Sequence, residues 1–366
     1  MPAEISTPSS FPLAPATRLG RICLLADDLT GACDASAAFL AMGRTVRVWL
    51  DGNPSLVANE SVQAFNTASR ALPAEQASEA VERAAGGIEI DADTLIFKKI
   101  DSAARGPIAA ELLAAHKRLG TRAIVFAPGF PAMGRTVRDG VLEARDASGQ
   151  DSKVALGDLF PAEMNRAIAL VRTGDELAAA LDSGHTILMC DSATQEDLNA
   201  LARAALPFAG LLYAGSAGLA HAIASQGEAH APPEPLPTSL RTLVIAGTPH
   251  PVTALQLERL ANAAHLSKHM HLLRIECKNE DGAEIRAVFR AYEPDALVLT
   301  GGDTALFSAK TLGAHSILLK GEFTAGIPWG MIQGGEAQDR IVVTKSGGFG
   351  SPSALYDLIE HFAGAA

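Results

Sequence analysis

The stretch ADDLTGACD, residues 26–34, sets two adjacent carboxylates, Asp27 and Asp28, behind an apolar run and ahead of a Thr-Gly pair. Paired acids at the end of a strand can hydrogen-bond vicinal hydroxyls and accept a proton from one of them. The plainer alternative makes Asp28 the cap of a following helix and leaves only Asp27 to a ligand. A second cluster, KKIDSAARGPIAAEL (98–112), crowds Lys98, Lys99, Asp101, Ser102 and Arg105 ahead of a helix that Gly106-Pro107 opens. Cations beside unpaired helix N–H groups hold a small carboxylate or phosphate; a solvated turn capped by Asp101 or Ser102 is the competing reading. The third polar stretch, APGFPAMGRTVRDG (127–140), adds Arg135 and Arg138, whose guanidinium forks suit a bidentate grip on a carboxylate.

Glycines mark a different chemistry further on. LVLTGGDTALFSAKTLG (297–313) sets Gly301 and Gly302 at a strand end with Asp303 and Thr304 opening a helix. VTKSGGFGSPSAL (343–355) repeats the design with Lys345, Ser346, Gly347 and Gly348, and VIAGTPHPVTALQ (244–256), with Thr248 and His250, is a third loop of the kind. Backbone N–H groups freed by glycines form an anion nest, and a helix N-terminus favours negative charge. Standard phosphate motifs are absent. There is no G-x-x-x-x-G-K-[ST], and Gly348-Phe349-Gly350 is followed by Ser353 where a dinucleotide fingerprint needs its third glycine. A D-x-D phosphatase nucleophile fails too, because Leu29 and Thr30 stand two after Asp27 and Asp28. His265, His269 and His271 span a helix end and a strand start with no acid or cysteine at supporting spacing, so they read as surface histidines.

These clusters need a scaffold that brings loops to one edge. Apolar runs recur with Ala-rich helical segments between them: RICLLA, TVRVWL, TLIFKK, AIVFAP, TILMCD and GLLYAG, then TLVIAG, HLLRIE, ALVLTG and RIVVTK. That alternation predicts an α/β fold of two domains, each a mainly parallel sheet flanked by helices. In such sheets ligands collect beyond the carboxyl ends of the strands, where the polar clusters stand. The two groups break at QGEAHAPPEPLPTS (226–239), with its four prolines. The expected division is a flexible tail at 1–17, a larger domain at 18–228, a linker at 229–239 and a smaller domain at 240–366.

The 366 residues carry a formal net charge of -11, with 48% hydrophobic and 19% charged residues. Such an acidic balance without a basic patch argues against nucleic-acid or anionic-membrane partners, and no apolar run approaches a membrane span. The N-terminal tail lacks a basic start and an apolar core, unlike a secretory signal. Cys23, Cys33, Cys190 and Cys277 form no C-x-x-C pair, so a reducing cytoplasm is the expected compartment.

Together, ADDLTGACD, KKIDSAARGPIAAEL, APGFPAMGRTVRDG, TGGDTA and GIPWGMIQGGEAQDRIVVTKSGGFG resemble the four-carbon acid sugar kinases over nearly the whole chain after the tail. The resemblance implies an N-terminal domain for a small sugar acid, a C-terminal domain for ATP, and an active site in the cleft between them. Phosphate would pass to a terminal hydroxyl of a threonate, erythronate or 3-oxo-tetronate type of acid. Asp27 and Asp28 would face the substrate hydroxyls, one as base or orienter, while Lys99, Asp101, Ser102, Arg105 and Arg135 position the acid. Thr248, His250, Gly301, Gly302, Asp303, Thr304, Lys345, Gly347 and Gly348 would serve ATP. Mg²⁺ is expected with ATP, with Asp303 a candidate ligand and the metal site otherwise unassigned; a homodimer is left open. The family's Ser-Gly-Ser-Cys-Ser-like loop before PVT is AGTPHPVT here, and the segment from there to TGGDTA is short. Two alternatives therefore stay open: a sugar-acid-binding protein with a degenerate ATP site, and a lyase or epimerase using Lys99 with Asp101.

Overall fold

The computed structural model describes residues 19–52, 60–91, 93–145, 151–228, 232–276 and 281–364. The expected tail, residues 229–231 of the expected linker, and Cys277 lie outside the described residues. The first half contains β1 (Ile22–Ala26), α1 (Leu29–Ala37), β2 (Val46–Trp49), β3 (Val62–Asn66), α2 (Ala74–Ala85), β4 (Leu95–Lys99), α3 (Ile108–Leu119) and β5 (Ala123–Ala127). It continues through β6 (Arg135–Arg138), β7 (Val141–Arg145), β8 (Asp151–Ala155), β9 (Ile168–Val171), α4 (Gly174–Asp182), β10 (Ile187–Cys190), α5 (Gln195–Ala205), β11 (Leu211–Gly215) and α6 (Ala217–Ala224). The second half contains β12 (Thr242–Ala246), α7 (Pro251–Ala261), β13 (Met270–Arg274), α8 (Ala283–Tyr292), β14 (Ala296–Thr300) and α9 (Gly302–Thr311). It ends with β15 (Ser316–Thr324), β16 (Ile327–Gln333), β17 (Ile341–Lys345) and α10 (Ala354–Phe362).

Two mainly parallel sheets form, as the alternation predicts, and they join edge to edge. The order is β13-β12-β14-β17-β16-β15-β2-β3-β1-β4-β11-β5-β10-β9. The seam is antiparallel pairing of β15 with β2, from Ser316 opposite Trp49 to Leu319 opposite Val46. β1 lies inside the sheet, between β3 and β4, and is buried throughout. Its Ile22 and Leu24 enter one core and Leu25 the other, the period-2 alternation of a strand covered on both faces.

Because β16 and β15 reverse direction, the parallel strands of the two halves run oppositely along one sheet. In a flat sheet their carboxyl ends would lie on opposite edges. A twist of roughly 20–25° per strand pair, summed over the six steps from β1 to β14, turns the two sets by about 120–150°. That rotation brings the loops after β1 and β14 back toward each other. α1 lies in the fold of this twist, touching α6 and α9. All its residues are buried, which explains the small side chains of LTGACDASA. Among the described residues no helix is long and apolar enough to cross a membrane. Cys23, Cys33 and Cys190 are free and buried.

Candidate active site

A cleft of about 570 Å³ is lined from both halves: Asp28, Arg70, Lys99, Asp101, Ser102, Arg105 and Arg135 on one wall, Thr248, His250, Gly301, Gly302, Gly347 and Gly348 on the other. β3, β1, β4 and β11 are in register at their ends, with Ala26 beside Asn66 and Lys99, and Lys99 beside Gly215. Loops leaving these strands therefore share one rim.

Asp28 caps α1 from an extended backbone, its Oδ1 accepting from Gly31 N at 3.0 Å. Thr30 Oγ1 donates to Oδ2 at 2.9 Å, and Arg70 Nη2 to Oδ1 at 2.7 Å. Burial pushes this carboxyl up, but Arg70, Lys99 and the Thr30 bond outweigh it and hold it below the usual carboxylate range. Asp27 is 2% exposed and does not line the cleft. Arg70 grips it bidentately, Nε to Oδ2 at 2.7 Å and Nη2 to Oδ1 at 2.8 Å. Arg70 also reaches within 3.8 Å of Asp101, so one guanidinium ties together the acids that follow β1 and β4. Burial raises Asp101 as well, yet paired hydrogen bonds from Arg105, both 2.7 Å, together with Arg70, leave it strongly depressed.

The adjacent lysines part ways, as alternate positions on a strand must. Lys98 turns into the core and pairs with Glu111 of α3 at 2.8 Å, both fully buried. Lys99 lines the cleft beside Asp28: a Cβ placed on Gly31 would meet Asp28 Oδ1 at 2.4 Å and Lys99 Nζ at 2.7 Å. The predicted loop holding Arg135 and Arg138 is partly strand, β6, which opens an antiparallel sheet with β7 and β8. Arg135 lines the cleft, donating to Met133 O at 2.5 Å while its Nε is buried without a partner among the described residues. Arg138 is exposed.

On the opposite wall, β12, β14 and β17 end in register at Ala246, Thr300 and Lys345. Gly301 has φ +94, and a Cβ there would come within 2.8 Å of Thr248 Cβ; only glycine fits. Gly347 is equally close-packed, 2.7 Å from Thr248 Oγ1 by the same measure. His250 caps α7, its Nδ1 accepting from Val252 N. Lys345 is buried behind this wall, not in it. Its Nζ donates to Thr253 Oγ1 at 3.2 Å and to the carbonyls of Ser346 at 3.0 Å and Phe349 at 3.2 Å, tying down the glycine loop. Burial brings its pKa down to about 7. Asp303, exposed, and Thr304, buried, sit on the first turn of α9 outside the cleft lining.

Arg70, Thr30, Gly31, Asp34 and Phe349 also line the cleft, although motif reading gave none of them a role. Phe349 meets Phe130 edge-on across the two halves at 6.2 Å. Asp34 is 4% exposed, and its Oδ1 is buried without a hydrogen-bond partner among the described residues. Burial pushes it up to about 7; Lys99 opposes the rise, and Glu322 and Asp28 reinforce it.

A family model described as a sugar-binding N-terminal domain matches residues 22–223, and one described as a nucleotide-binding C-terminal domain matches 282–355. The chain belongs to the four-carbon acid sugar kinase family. Curated relatives agree with this. A D-threonate kinase of Salmonella typhimurium is 27% identical, the alignment covering 93% of this chain and 97% of the relative. A D-threonate kinase of Bordetella bronchiseptica is 29% identical over 91% and 95%. A crystal structure from Salmonella typhimurium LT2, provisionally described as a tRNA synthase, shares the fold at TM-score 0.68 and 18% identity, covering 93% of this chain and 99% of that one.

Membership in the four-carbon acid sugar kinases makes the chain a carbohydrate kinase, a phosphotransferase acting on an alcohol. Among the described residues no group of three or more His, Cys, Asp or Glu side chains could hold a metal ion unaided.

Proposed function

We propose that this kinase transfers the γ-phosphoryl group of ATP to the terminal hydroxyl of a four-carbon sugar acid, with D-threonate the first substrate to test. The observation that carries the reading is the cleft in which a wall of arginines, Lys99 and aspartates faces a glycine wall. Arg105 and Arg135 would take the substrate carboxylate, and Asp28 and Lys99 its hydroxyls, with Asp27 and Asp101 holding Arg70 and Arg105 in place. Backbone N–H groups at Gly301, Gly302, Gly347 and Gly348 would cradle the nucleotide phosphates, Thr248 and His250 framing them. Mg²⁺ bound with ATP would neutralise charge on the transferring group. Phosphoryl transfer asks the protein mainly for positioning and charge, which two opposed walls supply.

The sugar-acid-binding alternative rests on the altered AGTPHPVT loop. It loses support because Thr248 still offers a hydroxyl packed against Gly301 and Gly347. The lyase alternative needs Asp101 as a proton acceptor, and its chelation by Arg105 opposes that.

A coupled ADP-release assay with Mg-ATP against D- and L-threonate, D- and L-erythronate, their oxo forms and 4-hydroxythreonine tests the proposal. Turnover with a product heavier by one phosphoryl group is expected. Ligand binding without ADP release would replace the reading with the binding-protein one.

A further inference from the structure

Three acids line the cleft among the described residues: Asp28, Asp34 and Asp101. Asp28 accepts from Gly31 N, Thr30 and Arg70, and Asp101 is chelated by Arg105. A carboxylate held by cations and N–H donors is a poor proton acceptor, because those bonds stabilise the very form that would have to be consumed. Asp27, gripped by Arg70 outside the cleft, is less suited still. Asp34 differs in having a carboxyl oxygen with no donor among the described residues.

Its position fits the task. Gly31 and Asp34 stand three residues apart on α1 and therefore share one helix face. Glycine at 31 lets Asp28 Oδ1 and Lys99 Nζ close onto this face of the helix, since a Cβ there would meet them at 2.4 and 2.7 Å. A hydroxyl held in the cleft by Asp28 and Lys99 would have Asp34, which lines the same cleft, as its neighbour.

We propose that Asp34 is the proton acceptor of the transfer, with Asp28 and Lys99 orienting the attacking hydroxyl. This rests on the kinase reading given above. The hydroxyl oxygen uses a lone pair to bond the γ-phosphorus of the nucleoside triphosphate. The bond from that phosphorus to the β,γ-bridging oxygen breaks, and its electron pair leaves with the diphosphate. The hydroxyl proton passes to Asp34 and from there to water as products depart. The charged groups facing Asp34 are Lys99 from β4, Glu322 from β15 and Asp28 at the cap of α1. Burial and the two acids raise its pKa to about 7, where a general base operates best.

The test compares Asp34→Asn with the wild type for kcat, both KM values and the pH profile of kcat/KM. Expected is a roughly 10²–10⁴-fold loss of kcat, KM values little changed, and disappearance of an acid limb whose wild-type midpoint lies near pH 7. That midpoint should barely move with temperature, as a carboxyl's does, whereas an amine such as Lys345 would move strongly. A variant within about threefold of wild-type kcat, with the acid limb intact, overturns the assignment and leaves the kinase reading standing. If the variant does not fold, the wild-type profile decides: a flat rate from about pH 8 down to 5.5 overturns the proposal. A wild type that phosphorylates no four-carbon acid removes the kinase reading and this step together.

Discussion

Gly302 and Asp28 meet across the cleft so closely that a Cβ on Gly302 would lie 2.4 Å from Asp28 Oδ2. Asp28 thus caps its own helix α1 and also stands at the first residue of α9, whose preceding Gly301 offers no side-chain cap. Two helix N-termini favour negative charge at one point, contributed by opposite halves of the chain. Gly302→Ala should displace Asp28 by several tenths of an ångström or more and cut kcat/KM for the sugar acid on the order of 10²-fold, besides weakening ATP binding. Steady-state kinetics with each substrate varied would check this; a change confined to the ATP KM would show the contact to be without consequence for the acid.

Arg70 pairs with Asp27, Asp28 and Asp101 at once. Arg70→Ala strands at least one buried carboxylate, a change that costs about 3–5 kcal/mol, and should also depress turnover. Urea unfolding at pH 7 measures the loss. Arg70→Lys, which keeps the charge but not the fork, should recover part of the stability and little of the activity.

Lys98 and Lys99 are adjacent yet should fail in different assays. Lys98→Ala leaves Glu111 buried and unpaired, a loss of about 3–5 kcal/mol visible in unfolding. Lys99→Ala should lower kcat/KM while unfolding changes less. The opposite assignment of the two phenotypes would contradict the strand alternation described above.

Asp34 predicts a pH dependence of stability with a defined sign. Its folded pKa, about 7, lies above its ordinary value of 3.8, so between those values this group binds more protons in the folded state and its contribution to stability falls as pH rises. Asp34→Asn should be the more stable protein at pH 8, by at most about 4 kcal/mol, and the difference should vanish as pH falls toward 4. Asp28 and Asp101, both shifted down, act below that window and do not blur it. Denaturation of both proteins at pH 4, 6 and 8 would show the trend or refute it.

Much of the scaffold was legible because buried parallel strands read as apolar runs and their polar ends stand out beside them. β3 was not, and Arg70 was lost with it. VQAFN carries buried Gln63 and Asn66, satisfied by Trp49 Nε1 and by the Leu50 carbonyl. Polar residues paid for by such bonds break the hydrophobic signal without breaking the strand. Asp34 was visible as a letter, but its burial depends on α9, β15 and β16 packing against α1, contacts between halves that no local pattern reports. The seam was hidden for the same reason: β15 reads as an ordinary hairpin arm until its partner β2, some 270 residues earlier, is known. Lys345 illustrates a subtler gap. Its type and place suggested a phosphate ligand, while its carbonyl partners make it a peg for the loop.

The antiparallel join of β15 to β2 means that a cut between the sugar-acid and nucleotide halves would not release two finished proteins. Each fragment would expose an unsatisfied row of backbone donors and acceptors, β2 on one and β15 on the other, and such edges invite pairing with whatever strand comes next. The same pairing gives the cleft an elastic backing in place of a loose hinge: its walls can part only as the ribbon between them unwinds or tightens.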